Sequence, residues 1–488
     1  MKNSYRYLIL FVVAAFSFQS CEDKDDTLGV PSYLQIENFI WKGLNLYYLW
    51  QADVPDLADD RFANQAELND FLALKPSPED LFIDLLYKPE ANFPASEAVD
   101  RFSVIVSDYS VLENLFQGVS KNNGMEFGLR YKEGSTTDIY GWVKYVIPGS
   151  DAENKGVERG MIFYSVNGSS LTADNYQQLL SAETYTLSLA NYDGGAITPN
   201  GETISLTKTE LTENPVLEAD VLEIGGKKVA YLAYTGFTAN FDQQLNQAFG
   251  SFVNEGATEL VLDLRYNGGG SVQTATYLAS MITGQYTGQL FAKQQWNAKI
   301  EAVLDQNDLI NNFTSSIGNT PINSLNLSRV YILTASGTAS ASELVINGLK
   351  PYINVIQIGD TTTGKNVGSI TLYDSPNFTR SGRSLTHKYA MQPLVLKIVN
   401  KDGFGEYQSG IEPDVELIEN PGNVSQLGNP AEPLLSTALG LITNNARMLK
   451  FNPEKVTKEF RDSKSMKRFT TEMYVDIPEG LSDVLKNF

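Results

Sequence analysis

The sequence predicts a multidomain α/β protein built from an N-terminal helical region, a small β domain and an α/β core. Three observations carry that expectation. The chain has 488 residues, more than one compact domain holds. Apolar residues recur at helical spacing early in the chain. Beyond about residue 213, short apolar strands alternate with helical stretches.

The first element is a targeting segment. Lys2 and Arg6 precede an apolar run over 7–18, and Ser20 stands just before Cys21. That order is a charged region, a short apolar region and a small residue at a cleavage point. The run is short for a membrane span, and no second apolar run of spanning length follows. With Cys21 as the only cysteine, residues 1–21 resemble a bacterial lipoprotein signal in which Cys21 becomes the acylated first residue. Residues 22–32 begin with the acidic run Glu22-Asp23-Lys24-Asp25-Asp26 and read as a tether. The resemblance implies an exported lipoprotein held by an N-terminal lipid anchor, in the outer membrane on its periplasmic or cell-surface face.

Composition excludes several chemistries. A net charge of −21 argues against a nucleic-acid partner, which needs a basic surface. One cysteine and one histidine, His387, leave no disulfide framework, no Cys/His zinc site and no His-Glu-x-x-His metalloprotease motif. No metal and no cofactor is expected. A nucleophilic mechanism must therefore use His387 or dispense with histidine.

Residues 33–115 read as the helical region: Ile36, Phe39, Ile40, Leu44 and Tyr47 share one face, as do Leu68, Phe71 and Leu72. Core packing explains both stripes. Residues 116–213 change to short strands and turns. Pro148-Gly149-Ser150-Asp151-Ala152-Glu153 is followed by Arg159-Gly160-Met161-Ile162, and Val166-Asn167-Gly168 is a hairpin signal. This order resembles a PDZ domain, in which a peptide C-terminus adds as a strand and backbone N–H groups hold its carboxylate. The resemblance places the peptide-binding edge near Phe127, Gly128 and Leu129. A small β domain that only packs or gates is the alternative.

Residues 214–447 form the expected core, with strands over 229–234, 259–264, 330–333 and 355–358. Helices are expected over 241–253, 271–283 and 340–349. The remainder, 448–488, is locally basic and reads as a charged C-terminal extension. Three constellations in the core carry chemistry. Ala339-Ser340-Ala341-Ser342-Glu343 stands at a strand-to-helix junction: it reads as a capping box, or as a hydroxyl beside free N–H groups suited to an oxyanion. Gly359-Asp360-Thr361-Thr362-Thr363-Gly364-Lys365-Asn366 nearly spells a phosphate-binding loop. Asn366 replaces the magnesium-binding hydroxyl and the next residues read as a strand, so nucleotide binding is rejected. Alone, the motif is a surface turn with a solvated lysine. Leu262-Asp263-Leu264-Arg265-Tyr266-Asn267-Gly268-Gly269-Gly270 ends a strand in glycines that let a backbone approach closely, or simply make a tight turn.

Together, in this order, these motifs resemble the C-terminal processing (tail-specific) serine peptidase family. Gly-Lys follows Ser340 by 25 residues, and Asp100-Arg101-Phe102-Ser103 and Gly410-Ile411-Glu412-Pro413-Asp414 are further landmarks. The resemblance implies a crotonase-like α/β catalytic core and protein or peptide substrates. It implies Ser340 as nucleophile, Lys365 as general base, and an oxyanion hole from the N–H groups of Gly269 and Ala341. Many members carry a glutamine four residues after the lysine. Here that position is Ser369, the candidate for orienting Lys365. A Ser-His arrangement with His387 stays open, as does a second class of function: a catalytically weak or inactive extracellular peptide-binding lipoprotein on the same fold. Oligomeric state is not legible.

Overall fold

The computed structural model describes residues 29–444, 459–467, 469–478 and 481, so Cys21 and its flanks lie outside the described residues. The chain divides into two compact units, one holding residues up to 46 and 50–101, the other holding 47–49 and 102 onward.

The first unit is helical. In α1 (Gln35–Tyr47) the apolar stripe buries Phe39, Ile40 and Leu44. Helix α2 (Gln65–Leu72) is capped by Asn64, whose side chain accepts the Glu67 N–H at 3.1 Å. Ser77 caps α3 (Pro78–Asp84), with Pro78 at the first position, where no N–H is needed. Residues 102–116, which periodicity groups with this region, cluster with the second unit. There Val104–Val106 pairs antiparallel with Ala390–Gln392 ahead of α4 (Tyr109–Phe116).

In the second unit a β domain comes first. Its antiparallel strands are β1 (Met125–Tyr131), β2 (Ile139–Val146), β3 (Ile162–Val166), β4 (Thr184–Asp193) and β5 (Ala196–Thr207), hydrogen-bonded in that order. The expected short helix is α5 (Asp151–Asn154), whose cap Ser150 accepts the Glu153 N–H. The expected hairpin turn is present: Asn167 and Gly168 have φ of 51° and 78°, the left-handed pair such a turn requires. Helix α6 (Tyr176–Ser181) closes a core of Phe127, Leu129, Val143, Phe163 and Leu187.

The core follows: β6 (Val216–Ile224), β7 (Lys227–Tyr234), α7 (Asp242–Glu255), β8 (Glu259–Asp263), β9 (Gly270–Ser271), α8 (Val272–Thr283) and β10 (Leu290–Trp296). Next come β11 (Arg329–Thr334), α9 (Ala341–Leu349), β12 (Asn354–Gly359), β13 (Val367–Ser369), β14 (Leu394–Asn400), β15 (Val415–Glu416) and α10 (Pro433–Ile442). One sheet runs β6-β7-β8-β11-β12-β15, parallel except for the β6–β7 pair. Val229, Tyr231 and Ala233 face α10, while their neighbours Ala230, Leu232 and Tyr234 are equally buried. That is why these strands read as continuous apolar runs. The stretch 367–373 is two strands, β13 and Leu372–Tyr373, which belong to different sheets.

The described part of the C-terminal extension is integrated into both layers. Strand β16 (Glu459–Asp462) adds to the β1 edge of the β domain. Strand β17 (Met473–Tyr474) lies between β9 and β13 in a second core sheet ordered β9-β17-β13-β14-β10. No helix among the described residues is long and apolar enough to cross a membrane.

Candidate active site

Ser340 stands at the N-terminus of α9 with φ 66° and ψ −117°, a backbone conformation that L residues rarely adopt. The arrangement with Glu343 is that of a capping box, but only the carboxylate arm closes. Ser340 N–H donates to Glu343 Oε2 at 2.7 Å, whereas the Ser340 hydroxyl is buried with no hydrogen-bond partner. A buried hydroxyl left unbonded on a strained backbone is unfavourable for stability, which is the pattern expected of a functional group.

Glu343 does more than cap. Its Oε2 also accepts the Lys365 N–H at 2.8 Å, and its Oε1 accepts the Gly364 N–H at 2.7 Å and the Thr362 hydroxyl at 2.5 Å. One carboxylate oxygen thus joins the backbones of Ser340 and Lys365, whose nitrogens lie within 5.5 Å of each other, the sum of the two bonds. Burial pushes the Glu343 carboxyl above its ordinary range, and the four donors pull it back. The Gly364-Lys365 turn is therefore no surface feature. Lys365 is 0% exposed, with Nζ 3.2 Å from Glu472 Oε2 and 4.7 Å from the centre of the Phe102 ring.

The glycine run is tied to the same turn. The Asn267 carbonyl accepts the Ala339 N–H at 3.2 Å and the Ser342 hydroxyl at 3.1 Å. The Thr338 hydroxyl donates to the Leu264 carbonyl at 2.9 Å. Gly269 has φ 114°, and a Cβ there would lie 2.6 Å from Ser340 Cβ and 2.7 Å from its Oγ, so only glycine lets this strand end touch the hydroxyl. Its N–H donates to Asn267 Oδ1 at 2.9 Å. Of the two expected oxyanion donors, then, Gly269 lies beside the hydroxyl with its N–H engaged. Ala341 occupies the first position of α9, where no intrahelical acceptor exists. Ser369 Oγ lies 3.3 Å from Glu472 Oε2 and 3.2 Å from the Met473 carbonyl. His387 is engaged elsewhere: its Nε2 is 2.9 Å from Asp374 Oδ2, and its ring meets Tyr389 edge-on.

Beneath the glycine run, Arg265 bonds Asp263, Glu419 and Glu432, and Arg159 of the β domain bonds Glu419. Burial would push Glu419 up, but the two guanidiniums hold it at about 2. This network fixes the strand end that presents the glycines. Sequence reasoning singled out neither Phe102 nor Asn267 as site residues, although both stand inside quoted motifs, and it missed Glu472. Phe127, Gly128 and Leu129 lie on β1, facing β16 as their strand neighbour.

Residues 228–417 match the model of peptidase family S41, and residues 35–104 match the peptidase S41 N-terminal domain. A chloroplastic C-terminal processing peptidase of Tetradesmus obliquus is 27% identical over 324 residues, covering 64% of this chain and 65% of that protein. A carboxyl-terminal-processing protease of Picosynechococcus sp. is 24% identical over 305 residues, covering 61% and 66%. The chain thus spans just under two thirds of these relatives. A solved structure from Bacteroides fragilis, assigned to the S41 proteases, aligns with a TM-score of 0.66 at 27% identity, covering 83% of this chain and 97% of that one.

Proposed function

We propose that this chain, which belongs to peptidase family S41, is an exported serine endopeptidase of the C-terminal processing type, acting through a Ser340/Lys365 dyad. The observation that carries the reading is the shared carboxylate. Glu343 draws the Ser340 and Lys365 backbones together in a buried site, beside a hydroxyl that bonds to nothing.

The chemistry is acyl transfer. Ser340 Oγ attacks the scissile carbonyl while neutral Lys365 takes the hydroxyl proton; the lysine then returns that proton to the leaving amine. Water attacks the acyl-enzyme by the same route. Charge developing on the carbonyl oxygen is met by the Ala341 N–H at the positive end of α9, and by the Gly269 N–H once Asn267 releases it. Ser369 supports the lysine where the family glutamine would stand. Lys365 is fully buried beside the Phe102 ring.

The β domain serves as the PDZ-like module and the α/β core as the crotonase-like one. Substrates are exported proteins or peptides. Cys21 carries the lipid anchor and places the enzyme at the outer membrane. The reading is tested with the chain lacking residues 1–21, measuring hydrolysis of an unfolded protein. Activity abolished in both Ser340→Ala and Lys365→Ala, with folding intact, is expected. Activity that survives Lys365→Ala refutes the lysine base; in the full-length chain, labelled-palmitate incorporation that survives Cys21→Ser refutes the anchor.

A further inference from the structure

Ser340 and Lys365 are both 0% exposed, although every peptidase must admit a chain to its nucleophile. The protein's own C-terminal segment lies against Lys365 and against Gly269, which itself touches Ser340. Strand β16 lies antiparallel on β1, pairing Glu459 with Arg130, Arg461 with Leu129 and Asp462 with Gly128. Ser463 continues the ladder, donating its N–H to the Phe127 carbonyl at 2.9 Å and accepting the Phe127 N–H on its hydroxyl at 3.0 Å. Lys144, 6% exposed, grips this strand with bonds of 2.6 Å to Glu459 and 3.0 Å to Asp462. The Phe460 ring sits 4.9 Å from that of Tyr131. Beyond it Lys464 bonds the Thr235 and Tyr266 carbonyls at 3.0 and 2.7 Å.

The segment then crosses the catalytic residues. The Thr470 carbonyl lies 1.8 Å from where a Cβ on Gly268 would be, and the Glu472 carbonyl 2.7 Å from one on Gly269. Strand β17 pairs in parallel with β9, which follows the glycine run, and with β13, which follows Lys365. Glu472 places its carboxylate on Lys365 Nζ, occupying the amine that would take the Ser340 proton.

We propose that the path from the β1 edge to the slot between β9 and β13 is the substrate channel, and that residues 459–467 and 469–474 are its tethered occupant, holding the enzyme latent. The proposal rests on the peptidase reading and deepens it. The direction of the chain says that the segment is an inhibitor and not a substrate. A substrate whose C-terminus sat at the start of β1 would cross the nucleophile first and the β domain second, whereas this segment meets β1 first. The N–H groups at that start are also spoken for: Gly124 and Met125 donate to the side chains of Asn122 and Asn123 at 2.5 and 3.2 Å, so no free nest awaits a terminal carboxylate. The channel is therefore built for an internal extended segment with an acidic residue opposite Lys144.

The test uses the chain lacking residues 1–21 beside Asp462→Ala, which loosens the strap far from the nucleophile, and Glu472→Ala, which frees Lys365. Three readouts are taken: amide exchange over 459–474, acylation of Ser340 by a fluorophosphonate, and hydrolysis of an unfolded protein. Faster exchange confined to the strap, with acylation and hydrolysis each raised at least about tenfold, is expected. Faster exchange with hydrolysis unchanged or lower overturns latency while leaving the peptidase reading intact. Hydrolysis lost only in Glu472→Ala also overturns it, making Glu472 a positioning residue for the base. Released straps with neither acylation nor hydrolysis in any form would sink the peptidase reading itself.

Discussion

Replacing Glu343 by alanine separates an ordinary helix cap from a brace that builds the site. As a cap, the residue satisfies one donor, and its loss costs about 0.5–2 kcal/mol. In the structure it satisfies three buried backbone N–H groups, of Ser340, Gly364 and Lys365, together with the Thr362 hydroxyl. Thr362 has another bond in hand, since its hydroxyl accepts the Ile411 N–H at 2.7 Å. Removing the carboxylate takes away the acceptor of all three amides. At roughly 1–3 kcal/mol for each stranded donor, less what is recovered by removing a desolvated carboxylate, the loss comes to about 3–6 kcal/mol. Glu343→Gln is the finer probe. An amide keeps one acceptor oxygen and turns its NH₂ toward the Gly364 N–H, stranding a single donor for about 1–3 kcal/mol. Urea unfolding of the two variants beside the parent measures both numbers, and a fluorophosphonate label on Ser340 reports whether the turn still holds its shape. A Glu343→Ala loss below about 2 kcal/mol, with the denaturant slope unchanged, would return Glu343 to a plain cap and remove the central support of the site.

Two other outcomes follow from the same coordinates. The left-handed backbone at Ser340 predicts that Ser340→Gly is more stable than Ser340→Ala by about 1–2 kcal/mol, both being inactive; equal melting temperatures would mean that the turn stores no strain. Asp242, buried and bonded by the Thr274 hydroxyl at 2.7 Å, is pushed by desolvation up to about 6. Between its unfolded value and that point the folded chain holds a proton that the unfolded chain has released, so stability falls as pH rises through this window. Asp242→Asn therefore stabilises by about 1–3 kcal/mol at pH 8 and by nearly nothing at pH 4, and a pH-independent difference would refute the assignment.

The features legible in the sequence are those encoded locally. The parallel strands announce themselves as apolar runs because both faces are covered, and the Asn167-Gly168 turn because two left-handed residues in succession need such side chains. Ser340, Lys365 and Gly269 were nominated through the family resemblance, since read alone their motifs also fit a helix cap, a surface turn with a solvated lysine and a tight turn. Glu343 was visible only in its lesser role, since spacing from Ser340 reveals a cap but not the second turn, 22 residues on, that shares the carboxylate. The boundary near residue 101 was hidden for a related reason. Val104–Val106 is three residues long, and its partner lies nearly three hundred residues away.

The C-terminal segment was illegible on different grounds, and these bear on how it works. Read alone, residues 448–488 are charged and weakly periodic, the composition of a solvated tail. Each short strand there is too brief to hold itself: β16 has four residues and β17 two. They are ordered by partners on other elements, through ion pairs to Lys144, Glu126 and Lys365 and through the contacts of Phe460 with Tyr131, of Tyr474 with Phe116 and the burial of Met473. A segment secured this way is bound in part by groups that a competing peptide can match one at a time, taking the β1 edge as β16 leaves it. Acidic and basic residues spaced along a tail, facing opposite charges in a channel, suit a cover that must come off for the enzyme to work.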